Sequence, residues 1–242
     1  MPLSKTDYVR GLQCQKMLWL DAHAPQFKII PPHVQRRLDE GNEFGDKAMA
    51  IFGDYTETTI LKEDGKLNFS AMIEKTKTLI QNGERVICEG AFSWYGNFCA
   101  VDILKKEKEG YALYEVKNSP IIRNEFIIDL AFQRLIARKC GVPLTGSFLV
   151  LNGTKIEMET EKGRGQVCVE VKEKDTISFK IFDVSKATKR EERIVEKQIF
   201  ALGKLKRKDA PMPPVLVGNQ CELPYPCWYF DYCHKNFCQK SE

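Results

Sequence analysis

Long apolar runs are absent from this chain: none approaches the roughly 18 residues a membrane span needs, and no hydrophobic signal sequence opens it. The expectation is a cytoplasmic protein without a membrane partner, whose nine cysteines are poor candidates for disulfides. Histidine is scarce. His23, His33 and His234 show no ligand spacing, and each reads as a surface residue rather than a catalytic base. No internal repeat or low-complexity tract stands out, which leaves 242 residues that can bury a full core as one unit, residues 1 to 242. The net charge of +4 is too small to argue for nucleic acid by itself.

What is present reads as α/β. Helical periodicity fits residues 4 to 20, 33 to 52 and 69 to 82. Strands fit 85 to 94, 97 to 106 and 111 to 118, followed by a helix over 124 to 140 and a strand over 145 to 151. The core is therefore expected at about 33 to 151, with an added hairpin from Gly153 to Asp183 and a long helix from Val184 to Lys208.

The chemistry is concentrated in the second and third strands. Asp102 ends an apolar run, Glu115 lies in Tyr111-Ala112-Leu113-Tyr114-Glu115-Val116-Lys117, and a charged turn separates them. If the hairpin turns at Lys108-Glu109, positions 102 and 115 face each other, with Cβ atoms about 4.5 to 5.5 Å apart. Two carboxylates so close repel unless a cation lies between them, and oxygen ligands favour Mg²⁺ or Mn²⁺. Lys117 lies two residues on, on the same strand face as Glu115, and Gln133 follows on the next helix. A second Glu-Val-Lys, Glu170-Val171-Lys172, has no preceding aspartate and no following helix, and reads as the solvated face of a hairpin.

Cysteine supplies a second constellation. Cys88, Cys99, Cys140 and Cys168 sit singly in apolar segments and read as small buried hydrophobes. Cys221, Cys227, Cys233 and Cys238 crowd the last residues with five, five and four intervening positions, looser than the tight pairs of structural zinc sites. Cys14 offers a thiolate from the far end, and Cys14, Cys221, Cys227 and Cys233 are the expected ligands of a 4Fe-4S cluster. Zinc held by the four C-terminal cysteines is the alternative. From Lys186 to Lys208, nine basic residues stand against three glutamates, an excess of six. Phosphate contact is expected at Lys204, Lys206 and Arg207, whereas the first turns read equally as a solvated helix with i,i+4 pairs around Glu192.

In order along the chain, Leu3-Ser4-Lys5-Thr6-Asp7-Tyr8, Gln13-Cys14, Glu40 to Gly45, Glu89-Gly90-Ala91-Phe92, Val101 to Leu104, Glu115 to Ser119, Asp129 to Gln133 and Cys221 to Cys233 resemble the PD-(D/E)XK nuclease superfamily. Within it the chain is similar to iron-sulfur RecB-like nucleases, including CRISPR-associated exonucleases. The resemblance implies a restriction-endonuclease-like core, a mixed central sheet flanked by helices, with a C-terminal iron-sulfur segment at 219 to 242 paired with Cys14. It implies Asp102 and Glu115 as metal ligands, Lys117 as the motif lysine and Gln133 as its helical glutamine. It further implies DNA as substrate and CRISPR adaptation or recombination proteins as partners. Two positions depart from the pattern: Gly45 stands where related exonucleases often carry a histidine ligand, and Ala137 where they often carry tyrosine. Glu43 is the expected substitute ligand, with Glu89 next. The functional expectation is a metal-dependent DNA nuclease; a non-catalytic nucleic-acid-binding subunit and a zinc-stabilised RNA-processing factor are the rivals.

Overall fold

The computed structural model describes residues 1–153, 170–172 and 178–237. Its strands are β1 (Thr56–Glu57), β2 (Val86–Trp94), β3 (Asn97–Glu107), β4 (Gly110–Lys117), β5 (Leu144–Asn152), β6 (Glu170–Lys172) and β7 (Ser178–Asp183). They form one mixed sheet in the order β1-β2-β3-β4-β5-β7-β6. β2, β3 and β4 are an antiparallel meander, and β5 runs parallel to β4. The crossover between those parallel strands is the helix α5 (Asn124–Lys139). β7 returns antiparallel to β5 and pairs with β6, so the added hairpin is present in these two strands. The rest of that hairpin lies outside the described residues.

Helices cover both faces of the sheet. On one side Leu130, Phe132, Leu135 and Ile136 of α5 pack with Ile87, Leu104, Leu113 and Leu149 of the sheet, and with Tyr8, Val195 and Ile199 from other helices. On the other, Phe44 and Ala48 pack with Val86, Cys88, Ile103, Tyr114 and Phe179. Strand residues normally keep one face per parity. β2 and β3 do not: Ile87 and Phe92 share the α5 side although their parities differ, as do Val101 and Leu104. The exchange falls between Cys88 and Gly90 on β2 and between Val101 and Ile103 on β3. The sheet is therefore creased across Glu89, whose φ of 55° lies in the left-handed region, and Asp102.

The remaining helices are α1 (Lys5–Gln13), α2 (Gln15–His23), α3 (Pro32–Ala48), α4 (Phe69–Gln81), α6 (Ser185–Gly203) and α7 (Phe230–Phe237). The helix expected over 4 to 20 is two helices. Cys14 breaks it with extended angles, φ −156° and ψ 111°, while its N–H still caps α1 on the Arg10 carbonyl. Ser4 starts α1 through a capping box with Asp7, each side chain accepting from the other's backbone N–H. The region expected as helix 33 to 52 ends as a single 3₁₀ turn, Met49–Phe52, stopped by Gly53 at φ 87°. The long basic helix likewise ends at Gly203, and Lys204–Lys206 form a 3₁₀ turn. α7 packs Cys233 near Met17 and Leu20 of α2, which ties the C-terminal segment to the start of the chain.

Candidate functional site

The register of the meander places three acids in one row. β2 and β3 pair Cys88 with Ile103 and Gly90 with Val101, so Glu89 lies opposite Asp102. β3 and β4 turn at Lys108-Glu109 as expected, and their ladder runs from Glu107 opposite Gly110 to Ile103 opposite Tyr114. Its next step brings Asp102 beside Glu115. There the regular ladder is replaced by a side chain: the Val116 N–H donates to Asp102 Oδ2 at 2.7 Å. On the other flank, the Thr58 hydroxyl donates to the Glu89 carbonyl and fixes the crease.

Helix α5 and the first residue of α1 close over the row. Gln133 Nε2 donates to Glu115 Oε2 at 2.5 Å and reaches Asp129 Oδ1 at 3.4 Å, one helical turn back. Lys117 Nζ lies 2.5 Å from Glu115 Oε1 and 2.6 Å from Asp129 Oδ2. Lys5 Nζ sits among three carboxylates, 3.1 Å from Glu115, 3.8 Å from Asp102 and 3.9 Å from Asp129. Glu115 and Gln133 are fully buried, and Gln133 Oε1 has no hydrogen-bond partner among the described residues.

The crowding separates these acids electrostatically. Burial, reinforced by the neighbouring Glu115 charge, pushes the Asp102 carboxyl up to about 7. Burial does the same to Glu89, also to about 7, against the pull of Lys5. Glu115 goes the other way: burial works against its charged form, but Lys117, Lys5 and the Gln133 hydrogen bond hold it well below the usual carboxylate range. For both lysines burial opposes the ammonium, and the surrounding carboxylates more than reverse it. Glu115 is thus the fixed anion of the site, while Glu89 and Asp102 change charge near neutrality.

Lys5, Glu89, Asp102, Glu115, Lys117 and Asp129 line one cleft of about 770 Å³, with Asp46, Arg10, Arg37, Arg123, Tyr225 and Trp228, while Gln133 is buried behind Glu115. When all are ionised, Glu89, Asp102, Glu115 and Asp129 carry two more negative charges than Lys5 and Lys117 neutralise. Oxygen donors with a surplus of two suit one Mg²⁺ or Mn²⁺ in kind and charge. The fit is not preformed: among the described residues no three His, Cys, Asp or Glu side chains are grouped to hold a metal ion.

Several expected site residues stand elsewhere. Glu43 is on the solvent side of α3, exposed and paired with Lys47 at 2.6 Å, and Asp46 of the same helix faces the cleft instead. Lys206 is tied to Asp7 at 2.8 Å, Arg207 pairs with Asp209, and neither they nor the exposed Lys204 line the cleft. The basic groups facing it are Lys5, Arg10, Lys117, Arg37 and Arg123, the last two without an ion pair among the described residues. Asp129 had a signal in the sequence, because it lies four residues before Gln133 and shares its helix face. Lys5 lies in the Leu3 to Tyr8 stretch but carried no local signal of a site role: it reaches the row because Leu3 and Ser4, just before α1, pair with Asn97 and Phe98 of β3.

Cys14, Cys221, Cys227 and Cys233 line a common small cavity with Met17, Leu20 and Tyr229. Burial pushes the Cys14 and Cys233 thiols up and Cys227 up to about 12, the state expected of protonated thiols. The donors suit a soft metal or an iron-sulfur cluster. The space does not yet suit a cluster, since about 10 Å³ holds one water-sized sphere. Cys238 lies outside the described residues, as does Cys168. Cys88 and Cys99 are buried as expected, whereas Cys140 is exposed.

Fold and site together define a mixed α/β domain with a carboxylate and lysine cleft. No protein-family model matches the chain, and no curated protein matches it.

Proposed function

We propose that this chain is a metal-dependent nuclease hydrolysing phosphodiester bonds in DNA. One observation carries the reading: Glu89, Asp102 and Glu115 form a single row across three strands, with Lys117 and Gln133 against its last member in a cleft faced by arginines. The order of meander, crossover helix and parallel strand supports a restriction-endonuclease-like core. Mg²⁺ or Mn²⁺, when bound, would supply Lewis acidity and a nucleophilic hydroxide at neutral pH. Asp102 and Glu115 would hold the ion, Gln133 orients Glu115, and Lys117 presents a fixed positive charge to the phosphate. Arg37 and Arg123 would bind the flanking backbone.

The rival reading is a non-catalytic nucleic-acid-binding subunit, and it too has an observation in its favour: the lysines already compensate much of the acidic charge. Labelled single-stranded and duplex DNA incubated with Mn²⁺ separates the two. Wild-type cleavage lost in Asp102→Ala and Glu115→Ala is expected, with Gln133→Ala retaining part of the rate; a wild type that binds DNA without cutting it would establish the rival. We also propose that Cys14, Cys221, Cys227 and Cys233 clasp the chain ends through a 4Fe-4S cluster. Iron and sulfide analysis after anaerobic purification checks this, and stoichiometric zinc would replace it with the zinc alternative.

A further inference from the structure

Lys5 is held in an unusual way for a lysine at a helix start. Its backbone is pinned: the Leu3 N–H donates to Asn97 Oδ1 at 2.9 Å, the Phe98 N–H donates to the Leu3 carbonyl at 2.9 Å, and Ser4 bridges to Phe98. Leu3 is only 1% exposed, so the segment cannot be carried away from β3 without opening the core. The side chain is not pinned in this way. It is 24% exposed, borders the cleft, and spans four carbons to an ammonium whose ion-pair partners among the described residues are carboxylates, Glu115, Asp102 and Asp129.

Lys117 and Lys5 differ in what they hold. Lys117 makes two close contacts, 2.5 and 2.6 Å, that lock Glu115 to Asp129. Lys5 makes one close contact and two long ones, and it alone reaches Asp102. The three carboxylates that Lys5 contacts, Asp102, Glu115 and Asp129, together with Lys117 leave a formal surplus of two negative charges, and ionised Glu89 of the same row adds a third. Lys5 cancels one of these charges, and a divalent cation in its place cancels two.

We infer that Lys5 is a built-in counter-cation: its ammonium occupies the position among Asp102, Glu115 and Asp129 that a divalent metal takes, and loading requires the Lys5 side chain to swing out into the cleft. The inference rests on the metal reading above and extends it to regulation of the same site. Without metal, Lys5 keeps three close carboxylates from repelling one another. With metal bound, the released ammonium stands in the cleft beside Arg10, where an anionic chain would meet it. Loading is then a competition, and anionic substrate favours the loaded state by binding the displaced arm.

The test is Mn²⁺ binding to the full chain by calorimetry, without DNA. Lys5→Met keeps the length and removes the charge, and it should raise Mn²⁺ affinity by about tenfold. It should also lower the thermal midpoint of the metal-free protein and enlarge the rise on adding Mn²⁺. Lys77→Met removes the same charge from an exposed position on α4 outside the cleft and should change affinity by less than about twofold, well below the tenfold step of 1.4 kcal/mol. Unchanged or weaker Mn²⁺ binding by Lys5→Met, with binding abolished in Asp102→Asn, overturns the Lys5 inference and leaves the metal reading standing. Tighter binding by Lys5→Met in a protein that cuts no DNA upholds the inference and removes the nuclease reading. If Lys5→Met does not fold, wild-type protein with ¹⁵N-labelled lysine decides the matter: Mg²⁺ should shift the Lys5 ammonium resonance and speed its exchange with water, and an unmoved resonance overturns the proposal.

Discussion

At the scale of single residues, the site is a set of charges forced to disagree. Glu89 and Asp102 are held up to about 7, above the ordinary carboxylate values of 4.5 and 3.8, so the folded state binds more protons than the unfolded chain between those limits. Stability conferred by the protonated acids is complete below the unfolded values and is lost as pH rises toward 7. The thermal midpoint of metal-free protein should therefore fall between pH 5 and pH 8, and Asp102→Asn should flatten the decline; a midpoint that rises over that range would contradict the site's electrostatics. The opposed pair at 102 and 115 was legible in sequence because a hairpin's register follows from its turn centre alone. Glu89 was visible only as a second-choice ligand, because its place depends on the β2–β3 register. Lys5 and Asp46 were not legible as site residues, since nothing local says which strand a distant helix will cover.

At the scale of elements, periodicity identified most helices and strands but not their partners. Glu192 reads from sequence as one member of a solvated ion-pair ladder. In the fold it is 7% exposed and turned onto α5, where its carboxylate takes Arg138 and lies 2.9 Å from Arg134 Nε, whose N–H is not directed at it. Arg134 is itself 5% exposed. Replacing Glu192 with alanine leaves that guanidinium buried without its counter-ion, so urea denaturation should show a loss of about 3 kcal/mol. A loss within about 0.5 kcal/mol, the range of ordinary surface substitutions, would return Glu192 to the solvated class. The break at Cys14 escaped sequence reading for a related reason. No glycine or proline marks it, and the helical pattern runs on through Leu18, so only the docking of α2 on the C-terminal segment reveals the joint.

At the scale of the whole molecule, segments about 200 residues apart in sequence meet. Gln13 Nε2 donates to the carbonyls of Gln220 and Tyr225, and the Tyr229 hydroxyl donates to Asp21. This closure brings Tyr225 and Trp228 into the lining of the cleft, which residues of α3 share. On the nuclease reading proposed above, a polyanion would meet the charges of the cleft before those of the basic 3₁₀ turn. Reversing Arg37 and Arg123 together should weaken DNA binding and lower the salt slope by roughly two units, one for each lost phosphate contact. Reversing Lys204 and Arg207 should lower it less. Equal effects would restore the basic 3₁₀ turn as part of the DNA surface. Charge density along a chain ignores pairing in space: within the segment carrying a surplus of six positive charges, Lys206 is paired with Asp7, and Glu192 holds α6 to Arg134 and Arg138 of α5.

The crease at Glu89 has a consequence for how this protein could change over time. A side chain at φ 55° costs about 1 to 2 kcal/mol that glycine would not incur, and here the strained residue also buries a carboxyl. By folding criteria alone, Glu89→Gly is an improvement, so melting temperature should rise in that variant even as Mn²⁺ binding weakens. A lineage released from the need for this site would be expected to drift toward glycine at 89 before it altered Glu115, whose loss would leave Lys5 and Lys117 with fewer anions to hold them. Position 89 is thus a place where stability and use of the site can be read against each other from a single substitution.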